Sequence, residues 1–208
     1  MAEGMTEMQV MFQERQNTGT AWTNNKDFDK NGYLVVKDLW DTEELYHPLP
    51  ELRGQLNYYD KDPTHFNHTP LEQQVEGSVA RYWHPQYRTI HSGVRKKLEK
   101  VLGRKLYNTY YYDRFYFPGQ ELTRHADRDA CEISVSIHIS TNLPDDQKDW
   151  PFKIKTPDTY RDLNEEEQIN YKKKSIIETS GEERSCILNT GDAVIYKGCE
   201  RPHWRDPM

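Results

Sequence analysis

Two kinds of hydrophobic periodicity divide the chain into a helical part and a strand-rich part. Between Pro85 and Leu102, apolar residues recur every three or four positions, which predicts an amphipathic helix. Gly103 follows the last apolar position and predicts the end of this helix. The charged positions of the helix are expected on its outer face: Lys96, Lys97, Glu99 and Lys100.

Alternation with a period of two follows the helix and predicts strands. The segment 105–117 alternates and is rich in aromatic residues, which favours a strand. The segment 131–140 alternates without a break, with Ile133, Val135 and Ile137 on one face. Shorter strands are predicted at 32–37, 186–188 and 193–196. Helices followed by many short strands indicate an α+β fold with a mainly β, antiparallel core.

Three polar segments interrupt this pattern. Residues 1–25 lack periodicity and are expected to be a lead-in to a single domain over residues 26–208. Residues 47–70 contain several prolines, which predicts a long loop. The segment 155–184 is dense in charge and is expected to be a solvated insertion. Because loops between strands commonly cover a site, this insertion is also a candidate lid.

Composition narrows the classes of protein to be considered. The net charge of the 208-residue chain is −6, which does not favour a nucleic-acid partner. Three cysteines without C-x-x-C spacing predict free thiols in a reducing compartment. Neither a signal peptide nor an apolar run of membrane-spanning length is apparent, so we expect a soluble cytoplasmic protein with no membrane partner.

Candidate metal chemistry lies at His125, Asp127 and His203. His125 and Asp127 form the only His-x-acid pair in the chain, and on a strand both side chains would leave the same face. Two imidazoles and one carboxylate are the ligands of a facial triad, which leaves positions open on Fe(II). A second histidine pair, His65 and His68, is interpreted as solvent-facing loop residues rather than metal ligands.

The surroundings of these residues resemble a known family. Tyr116 to Asp127 reads Y-x-x-G-Q-x-L-x-x-H-x-D, and Gly191 to Gly198 reads G-D-x-x-I-Y-x-G ahead of His203. The phrase Asn31-Gly-Tyr-Leu-Val-Val-Lys-Asp-Leu is similar to an opening strand of the same proteins. Over residues 28–205 the chain therefore resembles the Fe(II)/2-oxoglutarate-dependent oxygenases, specifically the prolyl-4-hydroxylase-like branch.

The resemblance implies a fold and a reaction. The fold is a double-stranded β-helix, or jelly-roll barrel, braced by N-terminal helices, with His125, Asp127 and His203 as iron ligands. The cosubstrates are 2-oxoglutarate and O2, with ascorbate as an optional reductant. The reaction is hydroxylation of an unactivated C–H bond in a prolyl or other side chain of a protein or peptide. Two alternatives stay open, the same chemistry on a free amino acid or other small molecule, and a non-catalytic metal-binding barrel.

The contacts to 2-oxoglutarate are less well defined. In the family, a basic residue on a final strand binds the C5 carboxylate, and this sequence ends at Met208, before that strand is expected. Either the strand is missing or another group replaces it, and Arg205 is the candidate because it shares a strand face with His203. The resemblance adds His138, and Tyr112 and Tyr116 could donate hydroxyls.

Overall fold

The computed structural model describes residues 24–45, 75, 78–82, 87–144, 149–156 and 181–208. Two α-helices and nine strands lie in these ranges, with a 3₁₀ turn at Thr42–Glu44 that Asp41 caps. The helices are α1 (Lys26–Asn31) and α2 (Tyr87–Leu102). The strands are β1 (Tyr33–Val36), β2 (Val79–Tyr82), β3 (Tyr112–Phe115), β4 (Leu122–His125), β5 (Ser134–Ile137), β6 (Phe152–Thr156), β7 (Glu182–Cys186), β8 (Ala193–Tyr196) and β9 (His203–Arg205).

All described strand pairs are antiparallel. One sheet has the order β1-β8-β5, a second has the order β4-β9-β6-β7, and β2 pairs with β3 separately. The second sheet joins β4 to β9, which lies far along the chain. Residues distant in sequence are therefore brought next to each other on neighbouring strands.

Strand β8 lies between two hydrophobic clusters. Ala193 and Ile195 face one way and pack in a cluster with α1 and α2. Val194 and Tyr196 face the other way and pack against Phe152 and other residues of the second sheet. Because successive side chains of a strand point to opposite faces, one buried strand thus joins a helical layer to a second sheet.

The helical layer rests on a few buried side chains. Phe28 of α1 and Val94, Leu98 and Leu102 of α2 are buried against the β1-β8-β5 sheet. The prediction that Glu99 lies on the outer face of α2 is wrong, because this residue is only 7% exposed. Its carboxylate accepts hydrogen bonds from Arg95 and from the backbone N–H of Leu106, which returns past the helix end.

Helix α2 and the mainly β, α+β architecture are confirmed, but several boundaries differ. The strands predicted over 105–117 and 131–140 shrink to β3 and β5, and the strand expected at 186–188 is instead β7, ending at Cys186. Helix α1 was not predicted. Two antiparallel sheets packed face to face are what a jelly-roll requires. Closure of the strands into a double-stranded β-helix stays a prediction.

Some predicted segments fall outside the described residues. These are residues 1–23, the loop 47–70 with His65 and His68, and most of the charged insertion. The ends of that insertion are strand, because Thr156 of β6 pairs with Glu182 of β7. All three cysteines are free thiols. In the described part of the chain, no helix has the length and apolar character needed to span a bilayer.

Candidate metal centre

An irregularity in β4 brings two histidines opposite each other. Strands β4 and β9 pair Leu122 with Arg205 and His125 with His203, so β4 holds one more residue than β9 between the two pairs. In a regular ladder, three steps from Leu122 would put His125 on the opposite face. The extra residue in β4 compensates for this, as β-bulges do, so that His125 lies on the same face as His203. The imidazole centroids lie 4.3 Å apart.

Backbone carbonyl groups orient both imidazoles. The Nδ1 atom of His125 lies 2.7 Å from the carbonyl oxygen of Thr123, and that of His203 lies 2.9 Å from the carbonyl oxygen of Arg201. Because a carbonyl can only accept, each Nδ1 carries the proton and donates it. Each Nε2 atom is then left with a lone pair, as a metal ligand requires.

Asp127 reaches the histidines from outside the strand. The two side chains converge as predicted, but strand β4 ends at His125, so Asp127 is positioned by contacts outside the strand. Asp127 is held by its backbone N–H, which donates to the carbonyl oxygen of Gly198 at 2.9 Å. Its Oδ2 atom accepts a hydrogen bond from Ser134 Oγ at 2.7 Å. Its Oδ1 atom lies 3.8 Å from His125 Nε2 and 3.7 Å from His203 Nε2.

The three side chains form one cluster of donor atoms. One atom from each of His125, Asp127 and His203 lies within 4.8 Å of the others, and the described residues contain no second group of this kind. Two imidazole nitrogens and one carboxylate oxygen are donors that suit a divalent first-row metal such as iron. The residues present therefore fit a mononuclear metal ion with open coordination positions.

Burial keeps one imidazole neutral. His203 is 1% exposed, and burial together with the neighbouring His125 lowers its pKa to about 4, against the opposing effect of Asp127. The ring of Tyr196 lies 4.6 Å from that of His203, and the ring of Phe152 stacks on it at 5.6 Å. A neutral imidazole thus lies in a buried, aromatic environment.

Arg205 lies beside the cluster, on the same face of β9 as His203. The residue is 8% exposed, and its guanidinium donates from Nη1 to the carbonyl oxygen of Trp150 at 2.7 Å and lies over the Trp150 and Phe152 rings. Burial lowers the pKa of Arg205, and Tyr116, Tyr196 and Cys186 partly offset that effect. Among the described residues no carboxylate forms an ion pair with it.

The other residues predicted to contact the cosubstrate are His138, Tyr116 and Tyr112. Burial lowers the pKa of His138, and the charge of Arg205 lowers it further, so the two side chains are close enough to interact. Tyr116 packs edge-on against Trp150 at 4.8 Å, and its hydroxyl accepts from Arg114. Tyr112 stacks on Tyr82 at 4.8 Å and is partly exposed.

Sequence reasoning missed Ser134, Gly198, Phe152 and Tyr196 as parts of this site. A signal existed for two of them. Ser134 lies on the polar face of the alternating segment 131–140, and Gly198 closes the motif that begins at Gly191. Nothing in the sequence indicated that both would meet at Asp127. Another histidine of the described residues, His91 on α2, packs against Tyr111 and is not part of the cluster.

Comparison with known proteins adds evidence on the fold. No protein-family model matches the chain, and no curated protein matches it. A prolyl-4-hydroxylase from Pseudomonas putida superimposes with a TM-score of 0.52 at 15% identity, covering 87% of this chain and 88% of that one. A prolyl hydroxylase from Trichoplax adhaerens, in complex with a hypoxia inducible factor peptide fragment, gives 0.54 at 13% identity, with 98% and 88% covered.

The chain has the prolyl-4-hydroxylase fold. HygX from Streptomyces hygroscopicus, solved with nickel and 2-oxoglutarate bound, gives a TM-score of 0.51 at 11% identity and covers 98% of this chain and 81% of HygX. The resemblance to the 2-oxoglutarate oxygenases is thereby confirmed at the level of fold. At these identities the likeness concerns architecture, so the reaction has to be argued from the residues of the metal centre.

Proposed function

We propose that the protein is an Fe(II)- and 2-oxoglutarate-dependent dioxygenase that hydroxylates a prolyl or other side chain of a protein or peptide. The observation that carries this proposal is the convergence of His125, Asp127 and His203 within 4.8 Å. Fe(II) and 2-oxoglutarate, when bound, supply the oxidising chemistry that hydroxylates an unactivated C–H bond with release of succinate and CO2. The chain itself would bind and orient the metal, the cosubstrate and the substrate, and it would exclude water from the site.

The metal would be held by His125 Nε2, His203 Nε2 and Asp127 Oδ1. Both imidazoles are fixed with the proton on Nδ1, so neither has to change tautomer before it binds a cation. A protein contribution of only three ligands leaves positions for a cosubstrate and for O2. The carboxylate of Asp127 completes the triad. Because it would occupy a coordination position on the metal that a further ligand could otherwise take, it agrees with hydroxylation.

Arg205 is the proposed partner of the C5 carboxylate of 2-oxoglutarate. A buried charge is unfavourable without a counter-ion, and the described residues offer Arg205 none, whereas a dicarboxylate bound beside the metal would provide one. Phe152 links the two sites, because its ring stacks on His203 and lies 5.6 Å from the Arg205 guanidinium. His138, Tyr116 and Tyr112 are the proposed polar neighbours of the cosubstrate.

Stacked tyrosines near the metal centre support a peptide substrate. The rings of Tyr82, Tyr110 and Tyr112 stack at 4.8 to 6.5 Å, and Tyr110 Oη contacts Cys131 Sγ at 3.6 Å, close to Asp127 in the chain. Aromatic surfaces of this kind accept prolyl rings in extended peptides. The Trichoplax prolyl hydroxylase was solved with a peptide fragment, which agrees with a peptide as the substrate class.

Succinate formation from 2-oxoglutarate, with Fe(II) and ascorbate present, tests the proposal. The wild-type chain should bind one metal ion and form succinate, whereas His125→Ala and His203→Ala should lose both properties because each removes a ligand. His91→Ala is the matched control, since His91 lies outside the cluster. Retention of one metal ion per chain by the His125→Ala, His203→Ala double variant would contradict the ligand assignment.

A substrate panel separates the alternatives. Stimulation of succinate formation by prolyl peptides supports the proposed substrate class, and stimulation by free amino acids alone would replace it with small-molecule hydroxylation. Stoichiometric metal binding without any turnover of 2-oxoglutarate would identify a non-catalytic metal-binding barrel.

A further inference from the structure

The two oxygens of Asp127 lie in different environments. Oδ1 faces the two Nε2 atoms at 3.7 and 3.8 Å, whereas Oδ2 accepts a hydrogen bond from Ser134 Oγ at 2.7 Å. We infer that Ser134 is a positioning residue that makes Asp127 a one-oxygen metal ligand, and that Gly198 provides the space this contact needs. The inference rests on the proposed metal site and deepens it.

The hydroxyl of Ser134 restricts rotation of the carboxylate. A carboxylate with two free oxygens can bind a metal through one or both of them. With Oδ2 engaged by Ser134, Oδ1 is the oxygen directed at the histidines. A one-oxygen contact would keep one more coordination position free than a two-oxygen contact, and a chelating cosubstrate together with O2 would need that extra position. Ser134 would thus influence binding of 2-oxoglutarate without contacting it.

Gly198 is required by close packing around this hydrogen bond. A Cβ atom placed on Gly198 would lie 2.3 Å from Asp127 Oδ2, 2.4 Å from Ser134 Oγ and 2.7 Å from the carbonyl oxygen of Cys131. Distances below 3 Å require something to move, and the carbonyl belongs to the backbone. The backbone of Gly198 also accepts the N–H of Asp127 at 2.9 Å. One glycine therefore anchors Asp127 and accommodates its hydrogen-bond donor.

The register between β5 and β8 explains how Ser134 reaches Asp127. Ser134 pairs with Tyr196, two residues before Gly198, at the end of β8 where the chain turns toward His203. Ser136 lies two residues further along the same strand and pairs with Val194, deeper in the sheet. Both serines leave the same face of β5, but Ser134 alone of the two donates to Asp127. Ser136 is therefore a matched control.

Anaerobic titration with Co(II) provides a readout that does not depend on activity. Ser134→Ala should raise the Co(II) dissociation constant about 10- to 100-fold, the range found when the hydrogen-bond partner of a metal ligand is removed. It should also change the visible Co(II) spectrum, because the released carboxylate can bind through both oxygens. Ser134→Thr retains the hydroxyl and should restore affinity and spectrum, and Ser136→Ala should match the wild type. Gly198→Ala should resemble Ser134→Ala.

The apo variants are compared first by circular dichroism, so that a folding defect is not mistaken for weak binding. If apo Ser134→Ala is unfolded, Gly198→Ala and Ser134→Thr decide the matter, one by loss and the other by retention of the wild-type spectrum. Wild-type affinity and spectrum in folded Ser134→Ala, or an equal loss in Ser136→Ala, would overturn the inference alone. Failure of the wild-type chain to bind Co(II) would overturn the proposed metal site itself.

Discussion

At Arg205 a positive charge is buried where the described residues offer it no negative partner. The carbonyl oxygen of Trp150 and two aromatic rings stabilise the guanidinium, but these groups carry no full charge. An arrangement of this kind is unfavourable in the free protein and becomes favourable when an anion binds. At the scale of a single residue, the strongest expectation is therefore a binding site for a carboxylate.

Replacement of Arg205 tests this expectation. Arg205→Ala should raise the dissociation constant of 2-oxoglutarate by about one to two decades, because a hydrogen bond to a charged group contributes roughly 1.5–3 kcal/mol. The affinity for the metal should stay nearly constant, since Arg205 is not a ligand. Calorimetric titration of 2-oxoglutarate into the metal-loaded protein measures the first effect, and titration of the metal into the apo protein measures the second. Arg184→Ala, which alters an exposed arginine on β7, is the control. An unchanged constant would assign Arg205 a purely structural role.

At the scale of elements, Asp192 connects the turn before β8 to the end of β1. Its carboxylate is 2% exposed and accepts from Lys37 Nζ and from the backbone N–H groups of Asp38 and Asn189. Burial alone would raise the pKa of Asp192, but these hydrogen bonds outweigh burial and lower it. A depressed pKa in the folded state means that the ionised carboxylate stabilises the fold above the unfolded pKa of about 3.9. That stabilisation is lost as the pH falls through the folded pKa.

Asp192→Asn should accordingly destabilise the protein in a pH-dependent way. At pH 7 the free energy of unfolding should fall by roughly 1–3 kcal/mol, because an amide offers one acceptor where the carboxylate offers two. The difference between variant and wild type should shrink as the pH falls below about 4. Urea denaturation across this range measures it. Asp41→Asn should change little, since asparagine caps a helical turn as well as aspartate does. A difference that is constant with pH would contradict the argument.

Elements that depend on local hydrophobic spacing could be predicted from the sequence. Helix α2 follows directly from its apolar spacing, and the pairing of β1 and β5 with β8 uses segments predicted as strands. Glu99 was misplaced because a charged residue in a helix usually faces solvent. Its burial depends on Leu106, which is brought back by the turn at Gly103. Helix α1 has only six residues and depends on burial of Phe28, which a local pattern does not reveal.

The candidate site, too, could be predicted only in part from the sequence. The types and sequence positions of His125, Asp127 and His203 are enough to indicate a metal. The reason for their convergence does not follow from sequence, because it depends on the bulge in β4 and on contacts of Asp127 with Gly198 and Ser134. Bulges and tertiary hydrogen bonds arise from strand pairing over long sequence separations. Residue types therefore predict the chemistry, and only the folded chain explains the geometry.

At the scale of the whole molecule, metal binding should be linked to folding. His125 and Asp127 meet His203 only when β4 pairs with β9, so the complete set of ligands does not exist in the unfolded chain. A metal present at about 100 times its dissociation constant should then raise the free energy of unfolding by roughly 2.7 kcal/mol. Denaturation with Mn(II) and then with excess chelator measures the gain and its reversal. His203→Ala should show no gain, and a gain of wild-type size in that variant would place the metal elsewhere.

The carbonyl groups that orient the two imidazoles have a consequence for evolution and for protein engineering. The acceptors for Nδ1 belong to the main chain of Thr123 and Arg201, each two residues before its histidine. Substitutions at those two positions alter side chains and leave the acceptors in place, so the tautomers are insensitive to mutation there. The hydrogen-bond acceptors that set the tautomers of both histidines are thus supplied by the backbone. A pair of histidines could be transplanted onto another bulged antiparallel ladder without redesigning their hydrogen-bond partners, whereas the aspartate would have to bring its serine and its glycine with it.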